Sequence, residues 1–271
     1  MKIVIADHEF SYRSDDVYYL ALSEYPTISK WEMRKLICMS DYEKAQGRDV
    51  QIVCENEAIL SSVEQAFAKP EAVMKATVPE KITECTACAQ RGCLTQFVCH
   101  TTSIENANSI FGSDRILSAI KAKGKTGVEL AIEPANAAGD PPDFFENVMF
   151  AWGNCQAGDR LVMERSLNRF PTEADLSTGF RPGVRFYFVH DDIMNHPNYL
   201  FDGFDAAKIK EEVSLSEYLF ACIIPKEHEQ AFRGIVPDCL SDRVFYLEND
   251  CKDIRGWTEK VYHWVASLPV S

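Results

Sequence analysis

No stretch of this chain approaches the roughly 20 consecutive apolar residues that a membrane-crossing helix needs. Its opening, MKIVIADHEF, has neither the basic start nor the long apolar run of a secretory signal, so the expectation is a cytoplasmic protein without a membrane partner. No internal repeat, low-complexity tract or glycine-rich phosphate loop is present, which sets aside solenoids and the P-loop fold. Positive charge is scarce: 28 Lys and Arg stand against 41 Asp and Glu, a formal charge of −13. Phosphate neutralisation along a duplex needs clustered cations, so a protein or small-molecule partner is expected ahead of long duplex DNA.

What is there can fill a core. Apolar residues make up 46% of the 271 positions and aromatics 11%, enough for one large domain or two modest ones. Residues 1–10 read as a buried strand. Residues 14–47 carry helical patterning broken at Pro26 and stopped at Gly47, and VQIVCE (50–55) is a second strand. A helix capped by Asn56 should then end before Pro70. The periodicity lapses after Lys69, so a boundary is expected near residue 80, with a small α/β region over 1–80 and a second domain over 81–271. In that second domain QFVCH, ENVMFAW, DRLVMER, VRFYFVH, YLFACIIP and RVFYLEN are strand candidates rich in aromatic and β-branched residues. IRGWTEKVYHWVASL closes the chain as an amphipathic helix. Many short strands with few helices between them imply an α+β fold with a mixed, largely antiparallel sheet.

Ten cysteines without an export signal read as reduced thiols. Four of them crowd into ECTACAQRGCLTQFVCH. Cys85 and Cys88 form a CxxC pair that can hold Zn²⁺ from one turn, and Cys93 can supply a third thiolate. The usual second CxxC is missing, so a structural zinc stands beside the plainer reading of ordinary thiols. Cys99 and His100, adjacent on a strand, must project to opposite faces and cannot form a nucleophile–base dyad. His190, His196, Asp191, Asp192 and Asp202 fit a turn better than any metal-ligand spacing.

The run QFVCHTTSIENANSIFGSDRILSA (96–119) carries the most chemistry. Thr102 and Glu105 have the spacing of a capping box, which starts a helix directly after the strand that bears His100. An imidazole and threonine hydroxyls at Thr101 and Thr102, two residues from a helix N-terminus, suit a ribose with a nearby phosphate. The bland alternative is a structural histidine at a strand end. Farther on, residues 153–160 form a loop crowded with hydrogen-bonding groups, where Arg160 and Arg165 can grip phosphate or Asp159 can pair with an arginine.

A strand ending in His-x-Thr and running into ENANSIFGSDRILSA resembles the first motif of the His-Tyr-Glu branch of ADP-ribosyltransferases, over roughly residues 95–225. The resemblance implies an NAD-using transferase. His100, beside Thr102, would contact the adenosine-side ribose. An aromatic residue at the end of a central strand, Phe150 or Trp152 in ENVMFAW, would stack on the nicotinamide, although the tyrosine of the family pattern is missing. Glu212, favoured over Glu211, would stabilise the oxocarbenium-like transition state. An inactive or non-enzymatic binding domain with zinc at its cysteines is the alternative.

Overall fold

The computed structural model describes residues 1–14, 17–82, 92–133 and 139–269, and it is a mixed α/β protein that divides into two units. The first unit comprises Met1–Thr95 and Phe201–Ala206, and the second Gln96–Leu200 and Ala207–Ser271. The break expected near residue 80 thus falls ahead of the last short strands of the first unit. No helix among the described residues is long and apolar enough to cross a membrane.

The first unit has β1 (Lys2–Ile5), β2 (Tyr12–Ser14), β3 (Val17–Leu20), α1 (Lys30–Ala45), β4 (Gln51–Cys54), α2 (Glu57–Ala68), β5 (Lys81–Ile82) and β6 (Cys93–Leu94). Its main sheet has the order β2-β3-β1-β4, with β1 parallel to both β3 and β4. Ile3, Ile5, Tyr18 and Leu20 point to one face and pack with Leu36 and Met39 of α1 and Ile59 and Val63 of α2. Asn56 caps α2 by accepting from the amides of Ala58 and Ile59, as the sequence implies. The helix expected from residue 14 begins only at Lys30, behind a capping box of Ser29 and Glu32. Residues 17–20, VYYL, are β-branched and aromatic, and they form a strand because Tyr18 and Leu20 complete the core beside β1.

The second unit is built on β7 (Phe97–Thr102), α3 (Ile104–Ser113), β8 (Arg115–Leu117), α4 (Ala119–Lys123), α5 (Gly127–Ala131), β9 (Asn147–Trp152), α6 (Ala157–Leu167) and α7 (Glu173–Leu176). Then come β10 (Val184–Val189), α8 (His190–Met194), β11 (Tyr199–Leu200), β12 (Ala207–Lys210), β13 (Glu212–Ser214), α9 (Leu215–Tyr218), β14 (Ala221–Pro225), α10 (Glu229–Phe232), β15 (Val244–Leu247) and α11 (Ile254–Ala266). Seven strands form a mixed sheet in the order β11-β12-β9-β7-β10-β14-β15, in which β14 and β15 run parallel. DRLVMER, expected as a strand, is instead the body of α6: Asp159 and Met163, four residues apart, both point into the protein.

This sheet is two half-sheets joined at a narrow seam. The first four residues of β9 pair with β12, and only Ala151 and Trp152 pair with β7, opposite Cys99 and Val98. On its other edge β7 is paired with β10 along its whole length, from Phe97 opposite Val189 to Thr102 opposite Val184. The pairing of β7 with β9 thus ends at Cys99, and beyond it the His100 side chain meets Met149 and Phe150 of β9.

The two faces differ. Phe97, Cys99, Thr101, Arg185 and Tyr187 share one, which α6 and α11 cover: a methyl on Gly158 would meet Thr101 Oγ1 at 2.4 Å, and one on Gly153 would meet the Tyr262 ring at 2.7 Å. His100, Phe150, Phe186 and Phe188 lie on the other face, where Phe111 of α3 packs on Phe186 with ring centroids 5.4 Å apart. At roughly 3–5 kcal/mol for truncating a buried phenylalanine to alanine, these rings contribute heavily to the unit's stability.

Candidate functional site

The surroundings of His100, where the β7–β9 ladder ends, are the candidate site. The strand β7 continues through Thr102, whose backbone is committed to Val184 of β10, so Thr102 is not free to cap the next helix. Ser103 caps α3 instead, accepting from the amide of Asn106 at 3.3 Å, which moves the expected cap by one residue. Thr102 is buried. Thr101 turns to the opposite face, against Gly158 and 3.7 Å from the Cys99 sulfur. The pair of threonines therefore does not stand beside the imidazole as one hydroxyl-bearing group, because the strand alternation separates them.

His100 is half-buried, and its Nδ1 lies 3.2 Å from the carbonyl oxygen of Met149, across the gap where the ladder has stopped. A carbonyl can only accept, so Nδ1 carries the proton and the neutral ring presents Nε2 as an acceptor. Burial lowers the pKa of His100 below its ordinary value of 6.5, against the opposing pull of the Met149 hydrogen bond, with a smaller lowering from the charge of Arg165. The imidazole is thus neutral near pH 7 and able to receive a hydroxyl proton in a hydrogen bond.

Phe150 is brought to His100, with ring centroids 6.3 Å apart, and its other neighbour is Phe188 at 5.3 Å. Trp152 shares that face but packs edge-on against His190, 5.1 Å away. Both are buried, Phe150 at 1% exposure and Trp152 at 7%, so Phe150 makes a wall rather than an open stacking platform.

Glu212 begins β13, which pairs only with β8 in a separate two-stranded ribbon. The chain from β12 to β14 crosses the sheet here. Its path is fixed by Asp114, the left-handed C-cap of α3, whose carboxylate accepts from the Ser216 amide at 3.0 Å and the Ser216 hydroxyl at 2.6 Å. Since α3 packs on the face that carries His100, the Glu212 ribbon crosses on that same side. The Glu212 carboxylate is ion-paired to Arg115 and lies 3.2 Å from Lys121 Nζ, which also holds Glu211 at 2.7 Å. The hydrogen bond from Lys121, with the charge of Arg115, holds the Glu212 carboxyl below the usual carboxylate range. It is ionised at neutral pH and 30% exposed.

The strongest electrostatic feature follows one of the two sequence readings of the 153–160 loop, Asp159 paired with an arginine, but the partner is Arg185 and the setting is the buried core rather than a hairpin. Asp159 and Arg185 are both fully buried. Arg185 donates from Nε to Asp159 Oδ2 at 2.8 Å, from Nη2 to the Cys155 carbonyl at 3.1 Å and from Nη1 to the Tyr187 hydroxyl at 3.1 Å, and Asp159 Oδ1 accepts from the Gly183 amide at 2.9 Å. This pair fixes residues 153–159 and α6 against β10, on the far side of the sheet from His100. Burial also pushes the neighbouring Cys99 thiol up to about 11, so it is an inert core group. The signal was in VRFYFV: an arginine inside an apolar strand demands a buried partner.

Arg160 sits on α6 and Cys93 is fully buried on β6, opposite Ile82. Cys85 and Cys88 lie outside the described residues. Among the described residues, no three His, Cys, Asp or Glu side chains gather as metal ligands. Asp202 accepts from the amides of Phe204 and Asp205, both at 2.9 Å, which makes a turn.

No protein-family model, no curated protein and no solved structure matches this chain.

Proposed function

We propose that the second unit binds NAD or a related ribosyl phosphate beside His100, where the β7–β9 ladder ends, and acts as an ADP-ribosyltransferase. The observation that carries this reading is the neutral His100, held by Met149 where β7 and β9 part, with its Nε2 acceptor beside Phe150. The end of a ladder leaves backbone groups of both strands free for a ligand. The sheet pairing supports the same fold reading: β10 runs antiparallel to β7 and β14, and β9 antiparallel to β7 and β12.

In this reading the imidazole accepts from a ribose hydroxyl and orients the dinucleotide. Cleavage of the bond between ribose C1′ and the pyridinium nitrogen returns the electron pair to that nitrogen, and neutral nicotinamide leaves. Positive charge builds on the ribose, and the ionised Glu212 carboxylate offsets it. An acceptor nucleophile then bonds to C1′ and gives up its proton. Arg115 and Lys121 keep Glu212 anionic.

The test is calorimetric titration with NAD together with assay of nicotinamide release. Binding by the wild type, with release reduced at least about 100-fold in Glu212→Gln and binding retained, supports the proposal. Absence of NAD binding by folded wild-type protein overturns it.

A further inference from the structure

We propose that Glu211 is a positioning residue for Glu212: it draws Lys121 away from the Glu212 carboxylate and so leaves one of its oxygens for the charge that develops on the ribose. The inference rests on the reading above.

The backbone sets this residue apart. Among the described residues three that are not glycine have positive φ: Asp114 at 56°, Asn168 at 53° and Glu211 at 71°. The first two are the left-handed C-caps of α3 and α6, and Asp and Asn are the types that tolerate that region. Glu211 is neither a cap nor of those types. It is the single residue between β12 and β13, and there the chain changes sheets. Its amide donates to the Glu146 carbonyl at 2.9 Å, just before β9, while its carbonyl accepts from the Ser118 amide at 2.7 Å, just after β8. Glycine makes such a turn without a Cβ penalty, so the change of sheets explains the conformation and not the glutamate.

The ion pairs give the side chain a purpose. Lys121 Nζ lies 2.7 Å from Glu211 Oε2 and 3.2 Å from Glu212 Oε2, and Arg115 holds the other Glu212 oxygen. With Glu211 removed, Lys121 closes on Oε2, and each oxygen of Glu212 then carries a cation. A carboxylate clamped in this way cannot turn to the ribose, and two cations beside it oppose a third positive centre. Glu211 supplies the competing anion that holds Lys121 to one side. The side chains of Lys121, Glu211 and Glu212 are 38%, 50% and 30% exposed, so Lys121 can pass from one carboxylate to the other without disturbing the core. The two adjacent glutamates thus have separate roles, one facing the reaction and the other setting how freely it does so.

The experiment is a double-mutant cycle on nicotinamide release from NAD, with wild type, Glu211→Gln, Lys121→Met and the double variant. Glu211→Gln should lower kcat about 5- to 30-fold, with KM for NAD within about twofold of wild type. The acidic limb of its kcat–pH profile should also move to lower pH, because an undivided Lys121 holds the Glu212 carboxyl lower still. In the Lys121→Met background the same substitution should change kcat by less than about twofold. Glu211→Gly, suited to φ 71°, should reproduce the kcat loss with a urea midpoint no lower than that of wild type, which separates the side chain from the fold. Release by Glu211→Gln within about twofold of wild type, or an equal loss with and without Lys121, overturns the assignment and leaves the reading of Glu212 standing. No nicotinamide release from NAD by the folded wild type overturns both.

Discussion

Substituting Asp159 by alanine strips a fully buried guanidinium of its carboxylate partner and leaves the Gly183 amide without its acceptor. Arg185 cannot shed its charge, since its pKa lies far above neutrality, and it cannot reach water from 0% exposure. Removing one partner of such a pair costs about 3–5 kcal/mol, a large part of the 5–15 kcal/mol typical of a whole domain. With a urea slope of about 2 kcal/mol per molar, the midpoint should fall by roughly 2 M. Urea unfolding followed by circular dichroism reads this directly. The exposed Arg255–Glu259 pair is the control, and Glu259→Ala should change stability by less than about 0.5 kcal/mol. Replacing both buried partners, Asp159→Leu with Arg185→Met, should be milder than Asp159→Ala alone, because no unpaired charge remains. An Asp159→Ala protein within about 1 kcal/mol of wild type would refute the claim that this pair locks α6 to β10.

Three further outcomes are expected. His100 titrates below 6.5 in the folded protein, so the unfolded chain binds more protons between those two pKa values; stability should fall as pH drops below about 6.5, and His100→Asn should flatten that part of the urea midpoint profile. Gly158→Ala drives a methyl into Thr101 and should cost about 1–3 kcal/mol in the same unfolding assay, whereas Gly112→Ala, with open space around it, should not destabilise. Ser103→Ala removes the cap of α3 and should cost about 1 kcal/mol, more than the near-isosteric Thr102→Val, which takes no cap away.

Much of the second unit was legible because its strands are local statements. QFVCH, ENVMFAW, VRFYFVH and RVFYLEN announce themselves by β-branched and aromatic residues, and Asp253 caps the final helix in the expected place. What escaped depends on pairings far apart in sequence. DRLVMER has apolar residues that suit either period, and it becomes a helix because Asp159 must meet Arg185, 26 residues later. The cap shifted from Thr102 to Ser103 because strand β10 claims Thr102. Thr101 left the site for the same kind of reason, since alternation along β7 sends it toward α6. The candidate carboxylate shows the limit most plainly: Glu212 was visible as a charge ahead of an apolar strand, but its partner Arg115 lies 97 residues away.

The central claim is that the unprotonated Nε2 of His100 receives a ligand hydroxyl. Nitrogen-detected magnetic resonance of the imidazoles, with the His100 signals assigned by their loss in His100→Asn, tests it directly during titration with NAD. A saturable shift of the His100 Nε2 resonance, with Nδ1 remaining protonated, is the predicted result. A His100 signal that stays fixed at NAD concentrations that saturate the protein, or that reveals Nε2 as the protonated nitrogen, would contradict it.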